Sequence, residues 1–197
     1  MEIISKIINT NYNLSHIKKQ IVLINTSISI KSYLKSLELR HFNEFNRVPN
    51  YVITKEGQIL KTLEDNQHTK LLNSKMINQQ SIIISLENLG WLEKEPLKNY
   101  HINWIGDIYK EKVFEKKWRE KFFWDPYTKK QIDCLVFLCK KLCKSYNINL
   151  ESIGHNTKIN GAESFNGIIS RSNFDETKTD LSPAFDFEMF EKKLKNE

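Results

Sequence analysis

The sequence predicts a single α/β domain, one central mixed β-sheet flanked by helices. Three observations point there. Short runs rich in β-branched residues, Gln20–Ser27, Tyr51–Leu60 and Ser81–Leu86, read as strands. Apolar residues recur at helical spacing over 30–45, 128–146 and 185–194. The two kinds of segment interleave along 197 residues with no repeat, low-complexity linker or compositional break, so one domain spans 1–197.

Each element has a local reason. Ile21 to Ile24 form a continuous apolar run that ends in the polar turn formers Asn25, Thr26 and Ser27, the mark of a buried strand. In Ile30–Phe45 the residues Tyr33, Leu34, Leu37, Phe42 and Phe45 fall on one helical face. Tyr51-Val52-Ile53 and Gln58-Ile59-Leu60 flank Lys55-Glu56-Gly57. They read as a hairpin in which Gly57 takes the positive φ of the turn. Ile82, Ile83 and Ile84 in succession suit a central strand covered on both faces. Thr128 and Gln131 have capping-box spacing and open a helix reaching about Tyr146. Residues 1–19 read as an N-terminal extension. Residues 100–118, with Tyr100, Trp104, Tyr109, Phe114 and Trp118, read as a hairpin or loop over the sheet. Trp91, Trp104, Trp118 and Trp124 are expected mainly in the core. Residues 156–179 read as a long irregular loop, and 185–194 as a terminal helix.

Composition narrows the function classes. The net charge is +6, enough for solubility or for attraction to an anionic partner such as a cell wall. The basic residues are spread along the chain rather than blocked, which argues against a nucleic-acid stripe. No apolar run approaches the roughly 18 residues of a membrane span, and residues 1–6 do not resemble the start of a signal peptide. Cys134, Cys139 and Cys143 lie in one helical segment without a C-x-x-C pair. They are expected to be buried thiols, consistent with a reducing compartment.

The chemistry-bearing residues lie towards the C-terminus. His155 follows a helix in Ile153-Gly154-His155-Asn156, and Lys178-Thr179-Asp180 runs into Leu181-Ser182-Pro183-Ala184-Phe185. Together with Ile21–Ser27, the 50–59 hairpin, Ser81–Asn88 and Tyr127–Gln131, this order of segments resembles the zinc N-acetylmuramoyl-L-alanine amidases. That family includes phage lysozyme-type enzymes and peptidoglycan-recognition proteins, and residues 100–127 look most like its large tailed-phage members. The resemblance spans nearly the whole chain. It implies a zinc ion with three protein ligands and an open position for water. His155 would be the second ligand, Asp180 the third, Lys178 the oxyanion stabiliser, and His68 a histidine beside the substrate groove.

Three functional positions of the pattern are changed. The first ligand, a histidine ending the first strand, falls at Ile24, or at Asn25 if the register slips by one. Isoleucine cannot ligate and a neutral amide is a poor zinc ligand. The hairpin tyrosine falls at Pro49 and the carboxylate of the middle strand at Ser85. His41, His68 and His101 are the histidines that could stand in. The resemblance therefore implies a catalytically degenerate amidase-fold protein without firm zinc binding. Its expected place is a phage tail or baseplate, or the host cytoplasm during assembly, with other virion proteins or peptidoglycan as partners and neither nucleic acid nor membrane. The alternatives are an active zinc amidase cutting between N-acetylmuramic acid and L-alanine, and a wall-binding module that does not cut.

Overall fold

The computed structural model describes residues 1–15, 17–39 and 47–196. Its centre is a six-stranded mixed sheet built from β1 (Ile3–Ser5), β3 (Gln20–Asn25), β4 (Tyr51–Ile53), β5 (Ile59–Lys61), β7 (Ser81–Leu86) and β13 (Gly167–Ser170), in the order β1-β5-β4-β7-β3-β13. Only β4 and β5 pair antiparallel; the other neighbours are parallel. The expected mixed sheet is therefore present, with β4 and β7 at its middle and both faces covered.

The alternation of side chains along β3 and β7 divides the core. Ile21, Leu23, Ile82 and Ile84 pack under α3 (Lys129–Tyr146) and α4 (Phe187–Lys195), against Ile132, Leu135, Leu138, Phe190 and Leu194. Val22, Ile24, Ile83 and Ile169 face the other way, against Leu72 and against Ile77 of α2 (Lys75–Gln80). On that second side α1 (Ile30–Glu38) lays Tyr33 and Leu37 over Val52 and Leu60. The expected helix over 30–45 is present as α1; its remainder, with His41, Phe42 and Phe45, lies outside the described residues.

The β4–β5 hairpin is as expected. Gly57 has φ +85°, and a Cβ there would stand 3.2 Å from the Cys134 sulfur and 3.3 Å from Lys130. Thr128 caps α3 by accepting from the Gln131 N–H at 3.1 Å. The reciprocal half of the expected capping box is absent, because the Gln131 side chain donates instead to the carbonyls of Ile53 and Glu87, at 3.2 and 2.9 Å. It thereby ties α3 to the ends of β4 and β7.

Four expectations are corrected. The N-terminal extension is part of the fold: β1 is an edge strand on β5, and β2 (Asn13–Leu14) pairs with β6 (Gln67–His68). The long loop contains β13, which pairs along β3. The 100–118 segment holds the expected short hairpin, but that hairpin is one edge of a second, five-stranded antiparallel sheet, β10-β9-β8-β12-β11. Its strands are β8 (Trp91–Lys94), β9 (His101–Ile102), β10 (Ile108–Tyr109), β11 (Phe114–Trp118) and β12 (Lys121–Trp124). Of the tryptophans only Trp124 is fully buried, and Trp104 is 57% exposed. In each case the partner strand is distant or the strand too short to show periodicity.

All three cysteines are buried and free. Burial pushes each thiol up, Cys143 to about 11 and Cys139 well above its ordinary value. The native protein should therefore react with Ellman's reagent far more slowly than the urea-unfolded chain. A folded pKa above the unfolded value contributes stability that is present below about pH 9 and is lost as pH rises towards 11. The thiols should thus weaken the fold above pH 9, an effect that Cys143→Ala reduces in melts run from pH 8 to 10.5.

Candidate functional site

The C-terminal ends of β3 and β7 meet the segment that follows β13. In register Ile24 lies beside Ser85 and Asn25 beside Leu86. Ile24 is 2% exposed and points into the apolar cluster with Val22, Leu72, Ile77, Ile83 and Ile169. Ser85 is fully buried, and its Oγ has no hydrogen-bond partner among the described residues. Two of the changed positions are therefore neighbours on one face of the sheet, and that face is now apolar. Pro49 is buried too, with its carbonyl accepting from Thr62 Oγ1 at 2.7 Å.

Asn25 lies beyond the end of β13, which stops opposite Leu23. Its N–H donates to Asp180 Oδ2 at 3.3 Å. Its side-chain oxygen accepts from the Tyr127 hydroxyl at 2.8 Å, and that hydroxyl accepts from the Ser182 N–H at 3.3 Å. Burial pushes the Tyr127 phenol up, so it stays protonated and able to donate. The segment after Asp180 is thus fastened to β3 and to the start of α3.

Asp180 is 6% exposed. Burial pushes its carboxyl above the ordinary range, opposed by Arg171, the Asn25 N–H and Lys178. Arg171 Nη1 stands 3.9 Å from Asp180 Oδ2. Lys178 is half-buried and acts on Asp180 and Asp175 through space. Its carbonyl accepts from Arg119 Nη1, on the tip between β11 and β12.

His155 sits on the adjoining loop with its side chain exposed. Its Nδ1 accepts from the Thr157 N–H at 3.2 Å, and its carbonyl accepts from Asn173 Nδ2 at 2.8 Å. Asp180, Lys178 and Asn25 are brought together, then, with the His155 loop tied alongside. His68 lies elsewhere. It lines a groove of about 600 Å3 together with Asn13, Leu14, Thr69, Lys70 and Lys75, among others. Its Nδ1 is buried without a hydrogen-bond partner among the described residues, and burial and Lys18 depress its pKa. Groove and corner connect through Asn73, which lines the groove and donates to Asp175 Oδ2 at 3.1 Å.

A zinc ion does not fit the residues in this corner. Ile24, where the resemblance would put the first ligand, is an apolar side chain packed in the core, and the Asn25 side-chain oxygen is committed to Tyr127. Among the described residues no group of three or more His, Cys, Asp or Glu side chains could hold a metal. Neither His68 nor His101 completes such a group; His101 stacks on Phe123 with ring centroids 4.7 Å apart. Sequence reasoning passed over Arg171 and Tyr127, whose roles depend on strand register and on a contact spanning about a hundred residues.

The fold and this corner define a class, that of single-domain amidases with a mixed central sheet. The family model described as Amidase_2, N-acetylmuramoyl-L-alanine amidase, matches residues 16–173, and the chain belongs to that family. Among curated proteins none matches. Solved structures share the fold at low identity. The amidase LysC from Clostridium intestinale is 14% identical with a TM-score of 0.60, the match covering 100% of this chain and 99% of that one. An endolysin from Bacillus subtilis is 14% identical with a TM-score of 0.59, covering 98% of each. The amidase AmiD from E. coli, solved with an anhydro-muramyl peptide, is 18% identical with a TM-score of 0.56, covering 92% of this chain and 58% of that one.

Proposed function

We propose that this chain is a peptidoglycan-contacting member of the amidase family that keeps a binding groove and has lost zinc-dependent hydrolysis. The observation that carries the reading is Ile24, buried in the apolar core at the first-ligand position and beside a buried Ser85. The groove around His68 supports the binding half. It offers exposed amides from Asn13, Asn73 and Gln79 and cations from Lys70 and Lys75. Such a lining suits a peptide that carries carboxylates and backbone amides, the chemistry of peptidoglycan stems. Among the described residues no group of metal-ligating side chains is placed to activate a water, so Lys178 and Asp180 act here as charge partners.

The decisive experiment is co-sedimentation with purified sacculi followed by an assay of released amines. The expected result is binding with no amine release above a buffer control, and less than a tenth of a zinc per chain by elemental analysis. Binding should fall several-fold in His68→Ala.

The family match over residues 16–173 and the retention of His155, Lys178 and Asp180 favour a second reading. This is hydrolysis of the bond between N-acetylmuramic acid and L-alanine. It requires amine release that Asp180→Ala abolishes and a chelator suppresses. That outcome would replace the first reading.

A further inference from the structure

β13 lies parallel to β3 with Ser170 beside Leu23. The next residue, Arg171, is therefore delivered to the level of Ile24, the lost ligand position. Arg171 opens a 3-10 turn, Arg171–Asn173. Asn173 Oδ1 accepts from the Ser170 N–H at 2.7 Å, while its Nδ2 donates to the carbonyls of His155 and Thr157, both at 2.8 Å. The Ser172 N–H donates to the Asp180 carbonyl at 2.7 Å. The backbones of Arg171 and Asp180 are thereby held in step.

The guanidinium lies between two carboxylates. Nη1 is 3.9 Å from Asp180 Oδ2 and Nε is 4.0 Å from Asp175 Oδ2, with the three side chains only 16%, 9% and 11% exposed. These separations are too long for hydrogen bonds, and Nε has no partner among the described residues. The interaction is therefore one of charge, in a corner with little water to screen it.

We propose that Arg171 is the resident counter-cation of Asp180 and excludes divalent metal ions from this carboxylate. A buried carboxylate needs one compensating charge. Arginine supplies it permanently, since the guanidinium does not deprotonate in proteins. A dication brought to Asp180 would meet a fixed positive charge at close range. Restoring a histidine at position 24 is then insufficient for zinc binding. The inference rests on Ile24 as the lost ligand position and is independent of wall binding, so the two can fail separately.

The test compares zinc retained per chain, after equilibration with micromolar zinc and desalting, in wild type, Ile24→His, Arg171→Gln and the double variant. The expected result is about one zinc per chain in Ile24→His/Arg171→Gln, bound at least tenfold more tightly than in Ile24→His. Equal binding by Ile24→His alone overturns the proposal, as does a natively folded double variant that takes up none. Thermal melts of Arg171→Gln, Asp180→Asn and the pair provide a second readout. Each single change should lower Tm by about 5 °C or more, and the pair by clearly less than their sum. Additive shifts would show that the two charges do not compensate one another.

Discussion

Asp125→Ala is expected to lower the melting temperature by about 10 °C, the largest effect of any single polar substitution proposed for this protein. Asp125 is fully buried. Its Oδ1 receives Lys55 Nζ at 2.5 Å and its Oδ2 the Leu89 N–H at 2.8 Å, while its carbonyl accepts from Asn88 Nδ2 at 2.8 Å. Lys55 follows β4, Leu89 follows β7, and Asp125 itself joins β12 to α3, so the carboxylate ties the two sheets together. Removing it leaves a largely buried ammonium and a backbone N–H without their acceptor, at a cost of about 3–5 kcal/mol. Asp125→Asn keeps the volume and an acceptor, and should cost less. Melts of the three proteins check this, and a shift below about 2 °C for Asp125→Ala would remove the hub assignment. Hydrogen exchange should also rise in β8 and β12 before it rises in β3 and β7, because the carboxylate anchors the second sheet to the first.

Charge reversal in the groove, Lys70→Glu with Lys75→Glu, should weaken sacculus binding roughly 30-fold or more. Each ammonium lines the groove and is exposed. Replacing an attraction of about 1 kcal/mol by an equal repulsion at each site changes the energy by about 2 kcal/mol at contact distance in unscreened water, and screening by salt roughly halves this, leaving about 2 kcal/mol for the pair. The difference should shrink as salt is raised from 0.05 to about 0.5 M, since the Debye length then falls to a few ångströms. Stability should stay within about 0.5 kcal/mol of wild type, because both positions are exposed. Lys116→Glu with Lys117→Glu on β11 carries the same charge change on the second sheet, where both lysines are also exposed. Equal loss in the two pairs would mean that the wall attracts net charge rather than binding in the groove.

Much of the fold was legible because its signals are local. Gln20–Asn25 and Ser81–Leu86 are wholly buried strands, and continuous β-branched runs mark such strands whatever surrounds them. Gly57 announced its turn because a left-handed φ is inexpensive only for glycine. Thr128 announced the start of α3 through its side chain. β13 escaped notice since four residues, two of them apolar, carry no readable period. Its partner β3 lies almost a hundred and fifty residues away. The second sheet escaped for a related reason. Its strands are two to five residues long and half-exposed, so their alternation is diluted by turns.

The site divides along the same line. The sequence by itself determined which side chains stand at the positions that the amidase resemblance singles out: Ile24, Ser85 and Pro49 where it implies a ligand, a carboxylate and a tyrosine, and His155, Lys178, Asp180 and His68 where it implies those residue types. That is a matter of residue chemistry, and no fold can make isoleucine a ligand. Only the tertiary structure decided which groups meet. It turned Ile24 and Ser85 to one apolar face, set His68 in a groove apart from Asp180, and committed Asn25 to Tyr127. It also placed Arg171 beside Asp180. The physical reason is strand register: a parallel pairing between distant segments fixes, to a single residue, which side chains share an end of the sheet, and no window of local sequence contains that information.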